Sequence, residues 1–114
     1  MLPSLWRLPL KTELKRLKKN GQIFQGKFFG LLLAKQEDQK QNPRFAMIVS
    51  NKVAKKAVDR NQIRRWVSEA LRSFLPQIKN PMDGVFLVKK TALGTDYQQI
   101  KKEIELLFKK AGLF

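Results

Sequence analysis

The chain contains no cysteine and no histidine. Without cysteine it has no disulfide framework and no thiolate metal site, a composition that fits a reducing cytoplasm. Zinc is held by Cys or His in nearly every known site, so a zinc centre is not expected. The usual nucleophile–base pairs of covalent catalysis are missing for the same reason. Acid is scarce as well: 9 Asp and Glu stand against 24 Lys and Arg. Only Glu37 and Asp38 are adjacent, in a polar stretch, while Asp59 and Glu69 are ten residues apart. A two-metal nuclease needs several carboxylates converging on ions about 4 Å apart. The residue chemistry therefore assigns no catalytic residue and no protein-held metal. No apolar run approaches the ~18 residues of a membrane helix. The start, MLPSLWRLPLKTELKR, breaks its apolar stretch with charge and shows no cleavage pattern, unlike a secretory signal. Gly21, Gly26 and Gly30 are too loosely spaced for a phosphate-binding loop.

What is present is positive charge. The 114 residues carry a net +15 with a pI near 10.5, and 43% of them are hydrophobic. That length suits one domain with an ordinary core. We expect an extended N-terminal segment over residues 1–10 and a single domain over residues 11–114. Basic residues gather at 11–19, at 52–65, at Lys89–Lys90 and at Lys101–Lys102. Clusters on several parts of one small domain exceed what solubility needs and point to a polyanion, with nucleic acid the commonest and a membrane surface a weaker reading. The densest stretch, Ser50 to Arg72, also carries Ile63, Val67, Ala70, Leu71 and Phe74 at helical spacing. That stripe needs burial. Asn61, Arg65, Ser68 and Arg72 fall on the opposite face.

The coarse order is helix (Thr12–Asn20), strand-like Gln22–Lys35, a polar hairpin-like loop over Gln36–Pro43, strand (Arg44–Ser50), helix (Ala54–Leu75), strand (Gly84–Lys90) and helix (Asp96–Lys110). The two strands before the long helix are expected to pair antiparallel, being consecutive. Allowing two or three strands before the long helix, the pattern is an α+β two-layer sandwich in the order α-β-β-β-α-β-α.

The run Ser50-Asn51-Lys52-Val53-Ala54-Lys55-Lys56-Ala57-Val58-Asp59-Arg60-Asn61-Gln62-Ile63-Arg64-Arg65 resembles the signature S-K-K-V-G-x-A-V-x-R-N-R-I-K-R of the protein subunit of bacterial ribonuclease P. Pro43–Val49 and Asp83–Lys89 look like the strands flanking it, and the resemblance spans about residues 11 to 111. It implies a sandwich with a left-handed β-α-β crossover, against the common right-handed rule. It also implies a protein that binds a catalytic RNA and the 5′ leader of precursor tRNA. The RNA performs the endonucleolytic hydrolysis with Mg²⁺, which it mainly holds itself, and the protein is monomeric outside the holoenzyme.

Carried over position by position, Ser50, Lys52, Lys55, Lys56, Arg60, Asn61, Arg64 and Arg65 are the implied contacts to the catalytic RNA. Leu14, Lys18, Phe28, Leu32, Arg44 and Lys89 are the implied leader cleft. Four departures stand in or beside the motif: Asn51 for a Lys, Ala54 for a Gly, and Gln62 and Ser68 each for an Arg. Leu14, Lys18 and Leu32 occupy positions that are aromatic in the pattern, which weakens stacking on the leader and offers a phosphate contact at Lys18. The competing readings are a stand-alone RNA-binding or ribosomal-type protein and a metal-dependent nuclease acting alone.

Overall fold

The computed structural model describes residues 6–36, 42–78 and 81–114. Its helices are α1 (Leu10–Asn20), α2 (Ala57–Phe74) and α3 (Tyr97–Lys110); its strands are β1 (Gln22–Gln25), β2 (Phe29–Lys35), β3 (Arg44–Ile48) and β4 (Met82–Val88). The order α-β-β-β-α-β-α is the expected one. The single strand expected over Gln22–Lys35 is instead a hairpin, β1 and β2, turned at Gly26–Phe28. A buried carboxylate holds that turn: Glu103 of α3 accepts the N–H groups of Lys27, Phe28 and Phe29.

The sheet runs β1-β2-β4-β3, so β2 and β3 do not pair. The strand β4 lies between them, antiparallel to β2 and parallel to β3. Adjacency in sequence favours pairing, but Val85 and Phe86 of β4 are apolar on opposite faces and completely buried. A strand of that kind belongs in the middle of a sheet. The parallel β3–α2–β4 crossover follows from that placement.

One face of the sheet carries the main core. Phe29, Leu31, Leu33, Phe45 and Phe86 meet Ile63, Val67, Leu71 and Phe74 of α2 and Ile100, Ile104, Leu107 and Phe108 of α3. Phe86 lies 5.8–6.0 Å from the rings of Phe29, Phe45 and Phe108. Burying each ring is worth about 1.5–3 kcal/mol. Gly84 permits this packing, because a Cβ there would stand 2.7 Å from the Phe45 ring. The other face holds a smaller cluster of Leu8, Leu17, Leu32, Ala34 and Val85 under α1.

The helix ends are set by local chemistry. The first helix starts at Leu10 after Pro9, two residues before the expected Thr12, whose hydroxyl donates to the Pro9 carbonyl instead of capping. The long helix starts at Ala57, later than Ala54, since Val53 and Ala54 are buried in the turn before it. Asp96 caps α3 in a reciprocal pair with Gln99. Part of the N-terminal segment is not loose: Arg7 bridges Phe45 in parallel, the Leu8 N–H donates to the Phe45 carbonyl at 3.0 Å, and Leu8 is buried. The adjacent acids Glu37 and Asp38 lie outside the described residues.

A buried ion-pair network fastens α1 to the sheet. Asp83 of β4 has no exposed side-chain surface. Arg44 donates to it through Nε at 2.9 Å and Nη2 at 2.8 Å, Arg16 donates from α1, and Gln36 donates at 3.0 Å. Arg16 also pairs with Glu13 at 2.9 Å. The hydrogen bond to Asp83 raises the Arg44 pKa above the ordinary arginine value; at Arg16 burial pulls downward and Glu13 with Asp83 outweigh it. Both guanidiniums therefore stay charged wherever the fold exists. Removing the shared anion strands two cations, so Asp83→Ala should cost about 3–5 kcal/mol of stability in urea unfolding. A loss below about 1 kcal/mol would show the network to be dispensable.

Candidate nucleic-acid interface

The turn from Ser50 to Lys56 leads from β3 into α2. Its inner side, Val53 and Ala54, is buried in the helix-side core, and its outer side exposes Ser50, Lys52, Lys55 and Lys56. Lys56 takes the N-cap position of α2 and provides no side-chain cap. Lysines at a helix N-terminus add to the positive end of the macrodipole and leave its N–H groups for an anion. On the helix, Asn61, Arg65 and Arg72 are exposed along one face. Among the described residues Lys52, Lys55, Lys56, Arg65 and Arg72 have no side-chain hydrogen bond or ion pair. Five cations on one rigid turn and helix are thus available to an external partner.

Two arginines of the run are held by the protein. Arg60 Nη1 donates to the carbonyls of Ala54 at 2.8 Å and Lys55 at 2.9 Å, which locks the turn against the helix. Arg64 is half-buried and donates to Asn61 Oδ1 at 3.2 Å. Ser68, expected on the exposed face, is only 2% exposed. The flank of α2 that carries it packs toward β3 and the N-terminal segment, which no helical period could indicate.

On the other side of the sheet, α1 covers only part of the surface. Gly30, Leu87 and Ile48 form one row across β2, β4 and β3, and Leu87, Ile48 and Ala46 remain partly exposed. Arg16 reaches the Lys35 carbonyl and Asp83, so the opposite flank of α1, with half-buried Leu14 and exposed Lys18, borders this open row. Leu32 lies beneath, 4% exposed. The remaining cleft residues are engaged elsewhere. Phe28 packs into the helix-side core, because the hairpin turn tips its ring to that face. The Arg44 guanidinium is committed to Asp83, and Lys89 Nζ donates to the Gly26 carbonyl at 2.8 Å. Sequence reasoning missed Ala46, Ile48 and Leu87, which join one open patch only because β4 separates β2 from β3.

No group of three potential ligands gathers among the described residues. Asp83 is held by arginines, Glu103 by three N–H groups, Asp96 by its cap and Glu105 by Lys109.

A sequence profile of the family described as Ribonuclease P matches residues 2–112. The chain belongs to the ribonuclease P protein family. Membership makes it a subunit of a tRNA-processing ribonucleoprotein. It is 39% identical over 75 residues to the ribonuclease P protein component of Synechocystis, covering 66% of this chain and 60% of that protein. It is 32% identical over 113 residues to that of Clostridium kluyveri, covering 97% of this chain and 98% of that protein. A solved mutant of the Staphylococcus aureus RNase P protein superposes with a TM-score of 0.87 over 96% of this chain and 90% of that one, at 23% identity, and establishes the fold. No helix among the described residues is long and apolar enough to cross a membrane.

The division between held and free arginines has a measurable consequence. Arg65→Ala should change unfolding free energy by less than about 0.5 kcal/mol while weakening RNA binding. Arg60→Ala frees two carbonyls and should cost about 1–3 kcal/mol, with faster amide exchange over residues 53–56 in the RNA-free protein. Equal stability of the two variants would show that Arg60 does not hold the turn.

Proposed function

We propose that this ribonuclease P protein docks on the catalytic RNA with the exposed side of the Ser50–Lys56 turn and α2. The single-stranded 5′ leader of precursor tRNA then lies in the groove between α1 and the open row of the sheet. Lys52, Lys55, Lys56, Arg65 and Arg72 contact phosphates, and Asn61 contacts a phosphate or a base edge. Lys18, on the groove-facing flank of α1, meets a leader phosphate, while Leu14 and the partly exposed Ile48 and Leu87 offer apolar contact to its bases. Arg60 and Arg44 serve the site by holding the turn and α1 in place. Hydrolysis belongs to the RNA with Mg²⁺ that the RNA holds, a reading supported by carboxylates that, among the described residues, are dispersed or already engaged. The chain works in the cytoplasm and is monomeric until it joins the RNA.

The observation that carries this reading is the set of five cations on one continuous element that, among the described residues, have no side-chain hydrogen bond or ion pair. A compact body at +15 repels itself, and ordered RNA phosphates relieve that repulsion where these side chains stand.

Precursor tRNA incubated with Mg²⁺ separates the competing functions. The protein alone should leave the leader attached, the cognate catalytic RNA alone should cleave slowly at low Mg²⁺, and the two together should cleave faster. Cleavage by the protein alone would move the chemistry to this chain, and failure to stimulate the RNA would favour a stand-alone RNA-binding role. If the interface neutralises about five to seven phosphates, the affinity for the catalytic RNA should fall with salt at a log–log slope of about −4 to −6. A slope near zero would contradict an interface built on free cations.

A further inference from the structure

Between the edge of β3 and one flank of α2 lies a cavity of about 190 Å³ that none of the contacts above uses. Leu8, Phe45 and Met47 form apolar walls, and Arg7, Arg64 and Ser68 supply the polar lining. Exposure grades that lining: Arg7 is exposed, Arg64 is half-buried, and Ser68 is 2% exposed. The Ser68 hydroxyl makes no hydrogen bond to any described residue. The hydroxyl is not sealed off by the protein and can bond a polar edge that enters the cavity.

The lining selects the class of occupant. A phosphate buried among Leu8, Phe45 and Met47 would lose its water against apolar walls. A flat heterocycle with polar edges suits the same walls: its faces take apolar contact and guanidinium stacking, and an edge meets the serine hydroxyl. The cavity adjoins Asn61, through the hydrogen bond from Arg64, and so lies beside the cations assigned to the RNA. We propose that this cavity receives one unstacked nucleobase of the catalytic RNA, with Arg7 and Arg64 bracketing the base and Ser68 bonding its edge. The inference rests on the reading of α2 as the docking surface for that RNA, and it adds to that surface a base-binding pocket and a contact from the N-terminal segment.

Two measurements test it. In the wild-type protein carrying ¹³C-labelled methionine methyls, adenosine or uridine 5′-monophosphate should shift the Met47 signal saturably while Met82 serves as control. Inorganic phosphate should leave Met47 unmoved. No Met47 shift with either nucleotide, or an equal shift with phosphate, overturns the pocket. In the second, Ser68→Leu fills the cavity. It should weaken binding to the catalytic RNA about tenfold, the scale of one lost base-stacking contact, at an unchanged salt slope because no phosphate contact is removed. Wild-type affinity in a folded Ser68→Leu protein also overturns it. Should that variant fail to fold, the nucleotide titration decides. Absence of RNA binding by the wild-type protein would instead defeat the docking reading, and so separates the two failures.

Discussion

Asp83 sits without exposure in the central strand, and the guanidiniums of Arg16 and Arg44 close over it from α1 and β3. Three separate pieces of the chain meet at that carboxylate. It fixes α1 over one end of the sheet, so the other end of the same face stays open. The groove that borders Lys18, Leu87 and Ile48 is what remains uncovered. It also consumes two of the chain's cations inside the fold. A buried carboxylate in a low-dielectric setting needs such partners, and the pairing holds both guanidiniums against the fold.

The same division recurs at the other interface. Arg60 and Arg65 stand five residues apart in one basic run, yet Arg60 grips the backbone of the preceding turn while Arg65 extends into solvent. On the docking we propose, the two kinds of arginine serve in different ways. The exposed ones supply charge, and the held ones supply the rigidity that keeps that charge in register with the RNA. A flexible lysine loop would lose conformational freedom on docking; a turn already locked by Arg60 loses less.

The elements were largely legible. The 3.6-residue stripe of α2, with Ile63, Val67, Ala70, Leu71 and Phe74, is the buried face observed. The signature from Ser50 to Arg65 marked the family, which the profile over residues 2–112 matches. Other features were not legible. The Gly26–Phe28 turn is held by Glu103, some seventy-five residues away, and nothing around Gly26 announces that anchor. Ser68 looked solvent-facing by its angle on the helix, and it is buried because Leu8 and Phe45 arrive beside it.

By itself the sequence determined which stretches become helices and strands, how much positive charge the surface must carry, and which family the central motif belongs to. These are local or summed properties, governed by side-chain period, capping chemistry and composition. Only the tertiary structure decided that β4 separates β2 from β3, which row of the sheet stays open, and which arginines are free. Those outcomes turn on contacts between residues far apart in the chain. Whether a guanidinium reaches a buried carboxylate, a backbone carbonyl or water is settled by what folding brings within about 3 Å of it.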